Sequence, residues 1–119
     1  MCRFVINVKE ETMSTDVGYI KLFRSTRNHW IWNNPYHFKW WLDILMTAND
    51  EDEKVSIGMQ VIECKRGQAI ISLSNWARRW GVSKSKVQRF LKMLENDGMI
   101  CLENVTKTTR ITVCNYDNY

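Results

Sequence analysis

Between Ser72 and Gly98 the chain carries helix-start and helix-stop signals at spacings that leave little freedom in the fold. Ser72 or Ser74 can accept hydrogen bonds from the open amides of a short helix running through Trp80, and Gly81 ends it. Val82 bridges to Ser83, a second cap, and a longer helix runs from Lys84 to about Asn96. Gly98 stops that helix, as glycine does where the backbone must turn left-handed. Two helices joined by so short a turn must cross, so that Leu73, Trp76, Ala77 and Trp80 share one core with Val87, Phe90, Leu91 and Leu94. Gly81 lets the backbone reverse and Val82 plugs the junction.

Periodicity extends this nucleus in both directions. Met99 to Glu103 and Arg110 to Cys114 alternate as strands of a hairpin, joined by a polar loop from Asn104 to Thr109. Asn33-Asn34-Pro35 reads as an Asn cap with proline at the first helical position, opening a helix over residues 36–49. Phe38, Trp41, Leu42, Leu45 and Ala48 form its apolar face. Trp40, Ile44 and Met46 widen that face and leave Lys39, Asp43 and Thr47 as a narrow polar stripe. A helix this apolar is covered on more than one side, by the N-terminal segment or by a second subunit. Gly18 to Phe23 alternates as a strand, Val55 to Ile57 and Gln60 to Cys64 as a hairpin around Gly58, and Gln68 to Ile71 as a short strand after the turn at residues 65–67. Residues 1–17 are weakly patterned, an N-terminal arm that is either loose or a short strand around Arg3 to Val8. The expectation is one α+β domain over residues 18–119. Its arrangement is a winged helix-turn-helix, with a three-helix core, a β-hairpin wing and extra N-terminal β segments.

Composition narrows the function classes. With 119 residues, 45% of them hydrophobic, the chain can bury a single real core. It lacks a bilayer-length apolar run and a secretory stretch, so a soluble cytoplasmic protein with no membrane contact is expected. Cys2, Cys64, Cys101 and Cys114 show none of the close-set ligand pairs of a zinc site. Cys64, Cys101 and Cys114 read as small reduced core residues, with a disulfide between two of them left open. The acidic loop Asn49 to Lys54 lacks the spaced ligands and glycine of a calcium loop. No metal or other cofactor is expected. Catalysis finds no support either: there is no Ser/His/Asp grouping and no phosphate-cradling glycine loop. His29 and His37 read as surface or helix-start residues, so the chain is not expected to be an enzyme.

Charge gives a positive signal. Residues 1–64 hold seven Lys/Arg against nine Asp/Glu, whereas residues 65–119 hold ten against four, so the net +4 is concentrated in the second half. From Arg78 to Lys92 there are six basic residues and no acidic one. A solvated helix ordinarily mixes signs, because opposite charges a turn apart stabilise it by a few tenths of a kcal/mol. On a helical wheel, Ser85, Arg89, Lys92 and Asn96 oppose the buried side of the third helix, flanked by Lys84, Lys86 and Gln88. The expected partner is duplex DNA, with this helix in the major groove. Arg89 and Gln88 can reach guanine and adenine edges, while Ser83, Lys84, Ser85, Lys86 and Lys92 contact mainly phosphates. In the wing loop, Thr106, Lys107, Thr108, Thr109 and Arg110 suit backbone or minor-groove contact. Five or six neutralised phosphates would give a salt slope of about −5. The competing reading is an ordinary solvated face. Trp40, Trp41, Trp76 and Trp80 read as core; Trp30 and Trp32 either line a subunit interface or pack under the first helix.

Three stretches together resemble a known family. They are Tyr19 to Asn49, with KLFRS, the Trp30/Trp32 pair, the Asn-Pro helix start and TAND; KRGQAIISLSNWARRWGVSKSKVQRFLKMLENDGMI, residues 65–100; and TKTTRITVCNYDNY, residues 106–119. They look like the N-terminal winged-helix domain of phage replisome-organiser and DnaD-type primosome proteins. The resemblance implies a domain that helps to launch replication by binding DNA and other primosome proteins. It also implies homo-oligomer formation, here through residues near Trp30, Trp32 and helix 36–49. Members usually continue past the Asn-Tyr-Asp signature into a linker and a second domain, so this chain corresponds to the first domain or to a stand-alone version. The helix-turn-helix also resembles that of transcriptional regulators.

Overall fold

Asn34 caps the first helix as its place before proline dictates: its Oδ1 accepts from the backbone N–H of Tyr36 at 2.9 Å and of His37 at 3.2 Å. The computed structural model describes residues 18–119, and this helix, α1, spans Pro35–Thr47. Two short antiparallel strands follow, β1 (Glu53–Ile57) and β2 (Gln60–Cys64), then β3 (Gln68–Ile70). Next come α2 (Leu73–Trp80) and α3 (Lys84–Asn96), then the hairpin β4 (Ile100–Val105) and β5 (Thr108–Val113). The result is α+β, with three helices and two small antiparallel sheets. In the second sheet β5 is central, paired with β3 through Ala69↔Ile111 and with β4 through Leu102↔Ile111.

The caps behave as their chemistry requires. Ser72 Oγ accepts from Asn75 N and Ser83 Oγ from Lys86 N, both at 3.1 Å. Gly81 takes the left-handed conformation (φ 69°) that ends α2. The turn from Gly81 to Ser83 therefore makes α2 and α3 cross over a shared core of Trp76, Ala77, Val87, Phe90, Leu91 and Leu94. α1 closes that core with Trp40, Trp41, Ile44 and Leu45, all buried. Trp40 stacks on Trp80 with centroids 5.0 Å apart and planes within 10°, and meets Phe90 edge-on at 5.3 Å. Asp43 then fastens α1 to α2: Oδ2 accepts from Trp80 Nε1 at 2.8 Å, and Oδ1 pairs with Arg79. The indole N–H of Trp76 is buried without an acceptor among the described residues, and Arg79 lies over its ring at 5.5 Å.

Some expectations change, and others left open are decided among the described residues. Gly18 to Phe23 is not a strand; irregular chain leads into 3-10 turns at Arg24–Asn28 and Trp30–Asn33, so the described residues contain no β segment before α1. The arm of residues 1–17, with Cys2 and the strand alternative around Arg3 to Val8, lies outside the described residues. Of the sequence Trp30-Ile31-Trp32, the central isoleucine is the buried residue. Trp30 packs at the core edge, donating from Nε1 to Asp97 at 3.0 Å, while Trp32 lies exposed against Phe38. Of the two coverings expected for the wide apolar face of α1, the N-terminal segment supplies part through Ile31, and α2, α3 and Tyr119, which meets Trp41 edge-on at 5.7 Å, supply more. Met46 is exposed. Finally, the expected loop from Asn104 to Thr109 shrinks to a two-residue turn in which Thr106 and Lys107 both take positive φ, 46° and 63°. Such mirror-image turns match the twist of paired strands and lengthen the hairpin.

The C-terminal residues lock the sheet side. Tyr116 packs on Gly67, where an added Cβ would stand 3.0 Å from its side chain, and its hydroxyl donates to Asp50 at 3.2 Å. Arg66 pairs with Asp117 at 2.9 Å and donates to the Asp50 carbonyl at 2.6 Å.

Removing the central ring of the aromatic cluster tests this packing. Trp40→Ala is expected to lower unfolding free energy by about 3–5 kcal/mol in urea denaturation. A loss under about 1 kcal/mol would mean that the stack with Trp80 and Phe90 does not organise the core.

Candidate nucleic-acid interface

α3 is amphipathic in the simplest way: Val87, Phe90, Leu91 and Leu94 face inward, and the remaining positions are left to solvent. Ser83, Lys84, Ser85, Lys86, Gln88, Arg89 and Lys92 are all exposed, so the fold brings these seven expected contact residues onto one outward side. The first turn of α3 carries no acidic residue, and the amides of Lys84 and Ser85 add the positive end of the helix dipole. Lys84, Lys86 and Arg89 form no ion pair among the described residues.

Two open grooves flank the helix. One, of about 720 Å³, lies toward the start of α1 and is lined by His37, Ser85, Lys86, Arg89, Met93 and Asn96, among others. The other, of about 250 Å³, lies between α3 and the β4–β5 hairpin, with Gln88 and Lys92 on one wall and Leu102 and Asn104 on the other. Burial, then the nearby Lys86 ammonium, lowers the pKa of His37, so at neutral pH the positive charge of the first groove comes from lysine and arginine.

The remaining expected contacts divide. Lys107 stands exposed at the hairpin tip with Thr108 half-buried beside it. That tip leans on the β1–β2 tip: Thr106 Oγ1 donates to Gln60 Oε1 at 3.1 Å, and a Cβ on Gly58 would meet the Thr106 methyl at 3.4 Å. Thr109, expected in the loop, is buried within β5. Arg110 is withdrawn too. Its side chain is 17% exposed, Nη1 pairs with Glu103 at 3.2 Å, and Nη2 donates to the Glu63 carbonyl at 2.8 Å. It ties the two hairpins together and is not presented to a ligand. Lys92 is exposed but held by Glu95 at 3.0 Å, one turn along the helix. That hydrogen bond lowers the Glu95 pKa.

Sequence reasoning missed the groups that position this surface. Asp97, just past α3, accepts from Trp30 Nε1 and from His29 Nε2, the latter at 3.1 Å. His29 Nδ1 in turn accepts from Ile31 N, so the ring hydrogen sits on Nε2. A carboxylate at a helix end is an unfavourable place for its charge; here the long-range donors hold it, and no short-range pattern signals them. The described residues contain no group of three or more His, Cys, Asp or Glu arranged to hold a metal ion. No described helix is long and apolar enough to cross a membrane.

Comparison with protein-family models, curated proteins and solved structures finds no match to this chain.

The Trp30 hydrogen bond, with that of His29, lowers the Asp97 pKa below the ordinary aspartate value. A depressed folded-state pKa contributes stability that is present above the unfolded value, near 3.8, and is lost as pH falls through the folded one. Asp97→Asn should therefore reduce the fall in urea midpoint below pH 4 relative to the parent chain. Parallel acid profiles for the two proteins would remove Asp97 from the anchoring role.

Proposed function

We propose that the chain is a winged-helix domain that binds duplex DNA, with α3 as recognition helix and the β4–β5 hairpin as wing. The element order from α1 through β3, α2, α3 and the hairpin, and the β3–β5–β4 sheet, support this arrangement. One observation carries the functional reading: the exposed side of α3 from Ser83 to Arg89 holds three cations with no carboxylate partner among the described residues. In the major groove, Gln88 and Arg89 reach base edges while Ser83, Lys84, Ser85 and Lys86 contact phosphates, with Lys107 and Thr108 reaching backbone beside the groove. The setting we propose is replication initiation, as a primosome or replisome-organiser domain of a phage or mobile element, on the strength of the sequence resemblance. It needs no catalysis by this chain.

A second reading, self-association with DNA or other primosome proteins bound elsewhere, draws support from Leu22, Phe23, Trp32 and Tyr36, all exposed on the segment leading into and starting α1. The two readings separate in one titration. With Arg110 and Lys92 engaged by carboxylates, Lys84, Lys86, Arg89 and Lys107 remain, and the log–log salt slope for a short duplex should be about −3 to −4. Lys86→Ala and Arg89→Ala should each weaken binding about tenfold at low salt while leaving the unfolding midpoint unchanged. Glu95→Gln should strengthen binding a few-fold by releasing Lys92. Affinity that ignores all three substitutions would favour the self-association reading.

A further inference from the structure

Cys101 and Cys114 do not sit where small core residues belong. Along β4 the inward positions are Ile100 and Leu102, and across the ladder Ile111 and Val113; Cys101 lies on the opposite face, with Thr112 as its register partner. Cys114 continues the same outward face just past β5, its N–H donating to the Met99 carbonyl at 2.9 Å. The two thiols are therefore diagonal neighbours at the open end of the β4–β5 ladder. Their sulfurs are 3.9 Å apart, Cys101 exposed and Cys114 half-buried. The third described cysteine offers a contrast: Cys64 is buried, and its sulfur donates to the Gln68 carbonyl.

We propose that Cys101 and Cys114 form a modification site for hydroperoxides, closing reversibly to an intrachain disulfide within the folded domain. Exposure makes Cys101 the thiol that an oxidant meets first. Its thiolate sulfur attacks one peroxide oxygen, the O–O bond breaks, and the departing oxygen takes a proton to leave as water or an alcohol. Cys101 is then a sulfenic acid. The Cys114 sulfur, having given up its proton, attacks the Cys101 sulfur; the S–S bond forms, the S–O bond breaks, and hydroxide takes a proton to leave as a second molecule of water. The two thiols lose two electrons and the peroxide gains them. The sulfurs must approach by roughly 2 Å to reach bonding distance, by side-chain rotation together with a shift of the chain just past β5. Closure would join the two ends of the β4–β5 hairpin at its base, away from the Lys107 tip. The site is independent of the DNA-binding reading, and neither result bears on the other.

Treating the reduced chain with a small excess of hydrogen peroxide tests the proposal. The expected product is monomeric and lighter by two hydrogen atoms; peptide mapping should join Cys101 to Cys114 and leave Cys64 as a thiol. Dithiothreitol should reverse the change, and the oxidised form should unfold several degrees higher because a short loop has been closed. Cys114→Ser should instead stop at the sulfenic acid or a higher oxide of Cys101. Repeating the reaction on Cys2→Ser keeps the test clear of that residue. The proposal fails if the folded chain yields only oxygen adducts, only chain-to-chain disulfides, or a Cys101–Cys114 bond that appears solely in denaturant.

Discussion

The stack of Trp40 on Trp80, edge-bounded by Phe90, joins one residue from each of the three helices. Asp43 holds the register of that stack by accepting from the Trp80 indole while pairing with Arg79. Helices pack by interdigitating side chains, and large rings permit few relative positions. Once α1 and α2 are set by these rings, α3 has one face that can meet them, through Val87, Phe90, Leu91 and Leu94. Its opposite face is then committed to the outside. The basic surface is a consequence of how the aromatic core is seated.

The same economy governs the acids of the basic half. Residues 65–119 contain four carboxylates, and each has a partner: Glu95 with Lys92, Asp97 with Trp30 and His29, Glu103 with Arg110, and Asp117 with Arg66. All four lie beyond the first two turns of α3, toward its C-terminal end or in the sheet and tail. The positive potential is therefore concentrated at the helix start, where the backbone dipole adds to it. Arg66 and Arg110 serve cohesion instead, one fastening the C-terminal residues and the other bridging the hairpins.

Local chemistry was legible in the sequence, and long-range chemistry was not. Asn34, Ser72, Ser83, Gly81 and Gly98 act within a few residues of themselves, and each sits where its cap or turn was expected. The outward side of α3 followed from helical periodicity alone. Gly18 to Phe23 alternates without a strand to pair with among the described residues, so its pattern did not become a sheet. Thr106 and Lys107 entered left-handed conformations that their residue types do not advertise, which shortened the loop and drew Thr109 and Arg110 into β5. Asp43 read as solvated stripe because Arg79 stands 36 positions away along the chain, and Arg110 read as free cation because Glu103 becomes its cross-strand partner only when the hairpin closes through the two-residue turn.

Amide chemical-shift mapping of the isotope-labelled chain, titrated with a short duplex at low salt, tests the outward face of α3 most directly. The account predicts the largest shifts across Ser83 to Lys92 and at Lys107 to Thr108, with the interior amides of α1 nearly still. Shifts centred on Leu22 to Tyr36, with α3 silent, would contradict it.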